Sequence, residues 1–226
     1  MIRTWNTQRY HTPSLCYGNA SWRYVSPQPL AHMICSGAYV DEEERGQQRT
    51  ALRHAVLVAA RETTAMLLSS GAYVDMRGSA RRTSPLYEAI VTTRLAFGTR
   101  SRLEIVCILL AGGADVNARA ANGQTPIYAA ARRGLTVIVS MLLRLGADST
   151  IRTPRGVLPF DVAVSYRHFE AAELLLPYLP LGYQMSRTRR RALLQRSELL
   201  QLAPRLAAWL GAPARSSSGA IPNVDR

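Results

Sequence analysis

The chain has 226 residues, enough for one domain or for a short array of repeats with tails. Its formal net charge is +13 and all 28 basic residues are arginine, so regulation through side-chain amines, by acetylation or ubiquitin attachment, is excluded. The charge brings acidic proteins and nucleic acid forward as partners, but a proteome biased toward GC-rich codons yields the same arginine excess. Cys16, Cys35 and Cys107 lie far apart without a C-x-x-C pair, which points away from a disulfide framework or a zinc site and toward a reducing compartment. Met1 to Tyr10 is polar, and no window reaches the roughly 18 apolar residues of a membrane span. The expectation is a soluble, intracellular, cytoplasmic protein, with the nucleus as a second address and no membrane contact.

In chain order, residues 1–29 carry Trp22, Tyr24, Pro27 and Pro29 where a first helix pair should stand, with Thr12-Pro13 as the remnant of a helix start. Self-comparison then finds a repeat. Met33-Ile-Cys-Ser-Gly-Ala-Tyr-Val-Asp41 returns as Met66-Leu-Leu-Ser-Ser-Gly-Ala-Tyr-Val-Asp75, as Ile108-Leu-Leu-Ala-Gly-Gly-Ala-Asp-Val-Asn117 and as Met141-Leu-Leu-Arg-Leu-Gly-Ala-Asp148. A second motif precedes the last three of these, as Thr50-Ala-Leu-Arg-His-Ala55, Ser84-Pro-Leu-Tyr-Glu-Ala89 and Thr125-Pro-Ile-Tyr-Ala-Ala130, and a degraded fourth copy is Leu158-Pro-Phe-Asp-Val-Ala163, followed by Glu173-Leu-Leu-Leu176. These starts are 34, 41 and 33 residues apart.

The third copy shows why the pattern is helical. The Thr125 hydroxyl caps a helix that opens on Pro126, where a missing N–H costs nothing. Ala129, Ala130 and Ala131 let neighbouring copies approach closely, and Gly134 breaks the helix. Val139, Leu142 and Leu143 then recur at helical spacing to form the buried face of a second helix, which Gly146 ends in the left-handed conformation. Gly71 and Gly113 do the same in earlier copies. One copy cannot bury its apolar face alone, so the copies must stack.

These motifs resemble the ankyrin-repeat family, whose signature is T-P-L-H-x-A-A, a Gly-bounded turn, then V-x-x-L-L-x-x-G-A-D-V-N. The likeness covers about residues 30–180, with four repeats and a partial one at the front, and implies an all-α solenoid of stacked helix-turn-helix units joined by short hairpins. Residues 1–29 then read as a degenerate N-terminal cap. Residues 181–211 read as a basic amphipathic helical segment, with a helix over Ser186 to Gln201 that Pro204 ends or kinks, and residues 212–226 as a disordered tail rich in Ser, Gly and Pro. Arg53, Tyr87 and Tyr128 stand where the family has His, so the His hydrogen bond to the Thr hydroxyl is absent, although Tyr can still pack and donate, and modestly weaker repeats are expected. Thr93 to Arg102 is an insertion that reads either as a lengthened loop or helix, or as a basic finger presenting Arg94, Arg100 and Arg102 around Phe97.

No phosphate-binding G-x-x-x-x-G-K-[ST], H-E-x-x-H or G-x-S-x-G is present, His11, His32, His54 and His168 are scattered, and Cys107 reads as a buried structural thiol. The expectation is a non-enzymatic, monomeric scaffold or adaptor without cofactor or metal. The resemblance implies that it binds a protein on a concave surface of hairpin tips and first-helix ends. By motif position that surface comprises Arg77; Arg119, Ala121, Asn122 and Gln124; Arg132 and Arg133; Arg152 and Arg155; and Tyr166. Arginine in this number suits an acidic partner, which its planar fork grips bidentately. The alternative is a nuclear or nucleic-acid-associated regulatory factor, whose binding would fall steeply with salt. The run Arg187, Arg189, Arg190 and Arg191 reads as a solvated helix face, a nuclear-import segment or an anionic-surface contact, and Glu42 to Glu44 as a solvated loop tip.

Overall fold

The computed structural model describes residues 39–41, 50–76, 83–92, 98–185, 190 and 204–211. Among the described residues all regular structure is helical, as the all-α reading requires. The chain forms two compact units, Met1–Ala114 and Asp115–Arg226.

The first unit holds two helix pairs: α1 (Ala51–Val58) with α2 (Arg61–Ser69), and α3 (Pro85–Val91) with α4 (Thr99–Ala111). Thr50 and Ser84 cap α1 and α3, each accepting from the backbone N–H three residues on, Arg53 at 3.4 Å and Tyr87 at 3.3 Å. Gly71 and Gly113 end α2 and α4 at φ +87° and +84°. The pairs join through Leu52, Val56, Leu67, Leu86, Ile90, Ile105 and Leu109, all fully buried, each side chain contributing about 1.5–3 kcal/mol by leaving water.

Arg53 compensates for the lost family histidine in a way the sequence did not reveal. Its guanidinium reaches Glu88 on the next helix pair, Nε donating to Oε2 at 3.1 Å and Nη2 to Oε1. Nη2 also donates to Thr83 Oγ1 at 3.4 Å, and that hydroxyl donates to Glu88 Oε1 at 2.7 Å. The expected weakness of this repeat is thus answered by a buried ionic bracket between copies. At Tyr73 the backbone N–H donates to both Asp41 carboxylate oxygens, at 3.0 and 3.2 Å, tying the hairpin of one copy to that of the next.

The insertion lengthens a helix. Its described part puts Thr99 to Arg102 into the first turn of α4, which runs 13 residues against nine for α2. Arg102 is no finger: it is buried and donates from Nη2 to Thr92 O at 2.8 Å. Arg100 is exposed and pairs with Glu104, while Arg94 and Phe97 lie outside the described residues. Cys107 is exposed, not buried, because Arg102, Ile105, Val106 and Leu109 take the inward face of α4 and turn position 107 outward.

The second unit repeats the plan with α5 (Pro126–Arg132), α6 (Thr136–Arg144), α7 (Pro159–Ser165) and α8 (Phe169–Leu175), the last running into a 3-10 turn at Leu176–Tyr178. Thr125 accepts from Tyr128 N at 3.4 Å, and Ala129, Ala130 and Ala131 are buried where α5 packs on α7. Gly134 (φ +66°) and Gly146 (φ +83°) stand at the helix ends, as their positions in the motif require. Val139 and Leu142 are buried, and Leu143 is half-buried. Leu158 cannot cap α7 with a hydroxyl, and Asp161 compensates by accepting from Leu158 N at 3.2 Å.

Pro204 does more than end a helix: it opens another, α9 (Pro204–Gly211), which packs on α8 and buries Leu206, Ala207 and Leu210. Trp209 meets Phe160 edge-on at 5.8 Å and stacks on Tyr183 at 6.3 Å. Arg190 is half-buried and its Nε donates to Leu210 O at 2.6 Å. The rest of that arginine run, residues 1–29, Glu42 to Glu44 and 212–226 lie outside the described residues.

Candidate functional site

The hairpins ahead of α5 and α7 are tight turns built by glycine. In the first, Gly123 N donates to Ala120 O at 2.8 Å and Ala120 N to Gln124 O at 3.0 Å; in the second, Gly156 N donates to Thr153 O at 2.8 Å and Thr153 N to Val157 O at 3.1 Å. Gly123 and Gly156 have φ +71° and +74°, which an L side chain disfavours. The two fingers also touch, since a Cβ at Gly123 would sit 2.4 Å from Pro154 Cδ. At their bases Asn117 Oδ1 accepts from Asp148 N at 2.8 Å, which sets their register.

These fingers carry six of the sequence-derived residues. Arg119, Ala121 and Asn122 are exposed and Gln124 is half-buried on the first; Arg152 and Arg155 are exposed on the second. Asn122 is held by accepting from Gln124 N at 3.1 Å. Arg152 is partly committed, its Nη1 donating to Gly156 O at 2.9 Å.

A second cluster forms at the helix ends. Arg132 closes α5 and Arg133 is its C-cap, while Tyr166 is the C-cap of α7 and 51% exposed. The Arg132 guanidinium lies 5.3 Å from the Tyr166 ring centroid, a cation–π contact between neighbouring copies. The sequence placed both residues on one surface but did not show them stacked, since motif register pairs Tyr166 with Arg133. Arg77 lies outside the described residues.

Electrostatically this unit is lopsided, with nine arginines against five carboxylates among its described residues. Asp161 is buried and Glu173 half-buried, while Asp115, Asp148 and Glu170 are exposed, and each accepts a hydrogen bond within the unit. Asp115 accepts from Asn117 N, Asp148 from Thr150 N, and Asp161 from Leu158 N and the Tyr183 hydroxyl; Glu173 accepts from Arg205 N at 2.9 Å and Glu170 faces the Thr136 hydroxyl. Positive charge therefore dominates the exposed fingers and helix ends.

Sequence reasoning missed a hollow of about 400 Å³ lined by Arg152, Asp161 and the stretch Pro180 to Met185. Nothing in the repeat pattern marks it, because Pro180 to Met185 follows the last recognisable motif. Among the described residues no three His, Cys, Asp or Glu side chains gather as a metal site would need, and no helix is long and apolar enough to cross a membrane.

Residues 94–188 match the family model for ankyrin repeats in three copies, so this stretch is an ankyrin-repeat array, and ankyrin repeats are protein–protein interaction modules. The copy beginning at Thr50 lies ahead of the matched residues, yet folds into the same paired helices. The chain is 35% identical over 141 residues to the B-cell lymphoma 3 protein homolog of Mus musculus, covering 62% of this chain and 30% of that protein. It is 36% identical over 74 residues to Rabankyrin-5 of Mus musculus, covering 32% of this chain and 6% of that one. It is 25% identical over 139 residues to the E3 ubiquitin-protein ligase KEG of Arabidopsis thaliana, covering 61% of this chain and 7% of that protein. The chain thus spans less than a third of the length of these relatives.

Proposed function

We propose that the chain is a non-enzymatic scaffold or adaptor, monomeric and working in the cytoplasm or nucleus, that grips one protein partner with its finger tips and inner-helix ends. The residues assigned to that surface are Arg119, Ala121, Asn122, Gln124, Arg152 and Arg155 on the fingers, Arg132, Arg133 and Tyr166 at the helix ends, and Arg77 ahead of them. The observation that supports this reading best is the finger pair: two exposed, arginine-bearing turns, each closed by backbone hydrogen bonds and meeting closely at Gly123 and Pro154. Rigid presentation lowers the entropy lost on binding, and arginine is frequent among residues that dominate interface energy. Because one repeat scaffold serves many partners, the assignment rests on these residues and not on the fold.

The test is affinity capture from native lysate, with and without nuclease, using wild type and the Arg119→Glu plus Arg155→Glu variant. Both positions are exposed, so the variant should keep the wild-type circular dichroism spectrum. The expected result is a discrete protein that survives nuclease and is lost in the variant. Material released by nuclease would replace this reading with the nucleic-acid one, whose phosphate contacts also make binding fall linearly with log salt.

A further inference from the structure

Among the described arginines of the Asp115–Arg226 unit, Arg132 is held in a distinctive way. Its guanidinium stands over the Tyr166 ring at 5.3 Å, and both side chains are exposed. A guanidinium over an aromatic face keeps the N–H donors on its edge for in-plane hydrogen bonds, and it has less freedom to lose when they form. Arg133 and Arg167 nearby are engaged within the protein, and Arg152 donates to its own finger. Exposed Arg119 and Arg155 on the fingers add positive charge, while Arg132 adds a fork preorganised over a ring. A planar carboxylate fits such a fork with two parallel N–H···O bonds. Each of the unit's five described carboxylates accepts a hydrogen bond within the protein from a group other than Arg132.

We infer that Arg132, stacked on Tyr166, is a carboxylate-reading element, and that the partner brings an acidic protein segment whose Asp or Glu side chain it grips at the end of α5. This inference rests on the protein-binding reading above and adds the chemistry of the partner. Arg132 supplies the two hydrogen bonds, while Tyr166 positions it.

The test is fluorescence anisotropy with a labelled poly-glutamate peptide, against a poly-glutamine peptide and a single-stranded oligothymidylate, at fixed salt. Poly-glutamate should bind best. Arg132→Lys, which keeps the charge but not the fork, and Tyr166→Ala should each weaken it about fivefold, while Tyr166→Phe, which keeps the ring, should not. Arg144→Gln, on the exposed end of α6, is the control for net charge and should also match wild type. The inference is overturned if Arg132→Lys binds like wild type, if Arg144→Gln weakens binding as much, or if oligothymidylate binds more tightly than poly-glutamate. A lysate partner lost with the finger variant but kept by Arg132→Lys and Tyr166→Ala leaves the protein-binding reading standing and overturns this one.

Discussion

Two joints between successive repeats, one in each unit, hold equivalent positions together by different means. Ahead of Ala114, the α1 pair is fastened to the α3 pair by ions: Arg53 to Glu88, braced by Thr83, with the Asp41 carboxylate on the Tyr73 amide. After Asp115, the residue in the place of Arg53 is Tyr128, which is buried, and the amide at Asp148 is taken by neutral Asn117. There the copies meet through shape: glycine at 123 against Pro154, and glycine at 134 against the His168 ring. A repeat needs its neighbour held in register, and either charge or close approach can do that. The first device punishes loss of one partner, and the second punishes any added atom.

The sharpest way to break this comparison is to remove half of the ionic bracket. Glu88→Ala should cost about 3 kcal/mol in urea unfolding, because it leaves the Arg53 guanidinium buried without its counter-charge. Arg53→Met plus Glu88→Met should cost less than the single change; a double change as costly as both singles added would mean the two residues are not coupled. Next in size is Gly134→Ala, expected to cost about 2 kcal/mol, since it combines a left-handed backbone with a Cβ 2.4 Å from the His168 ring nitrogen. Gly146→Ala, with the same backbone and open space around it, should cost about 1 kcal/mol. Equal losses at 134 and 146 would show that packing against His168 contributes nothing.

A smaller effect has the opposite sign. Ala59 occupies in α1's exit turn the place that Gly134 holds after α5, at φ +56°. Ala59→Gly should therefore raise stability by about 0.5–1 kcal/mol and the melting temperature with it. The smallest effect is expected at the exposed pairs of Glu104 with Arg61 and Arg100, where Glu104→Gln should shift stability by less than about 0.5 kcal/mol, vanishing at high salt. A larger loss would extend the ionic character of the first unit to its surface.

Much of the helical plan was legible because its signals are local. Thr-Pro and Ser-Pro starts, alanine runs and terminal glycines act within a few residues, and the structure places Thr125, Pro126, Gly134 and Gly146 as the motif demands. What escaped depends on partners a repeat away. Arg53 looked like a defect because Glu88 is 35 residues distant, and the finger alternative for Arg102 stayed open because its acceptor is a backbone carbonyl. Cys107 was misjudged because an apolar helix was read as apolar all round, whereas the lengthened α4 has an inward face that excludes it. At the candidate site, motif position proposed the residues, but the stacking of Arg132 on Tyr166 is set by how α5 and α7 lie together.

The ring cluster at the end of the second unit also gives the protein a built-in optical reporter. Trp209 is held between Tyr183 and Phe160, and α9 carries it. When α9 detaches from α8, that indole passes from a packed aromatic setting into water, and its emission moves to the red. With Trp5 and Trp22 replaced by Phe, fluorescence would follow the loosening of this end alone, while circular dichroism follows the helices of both units. Fraying from the last repeat would then appear as a colour change that precedes the loss of helix.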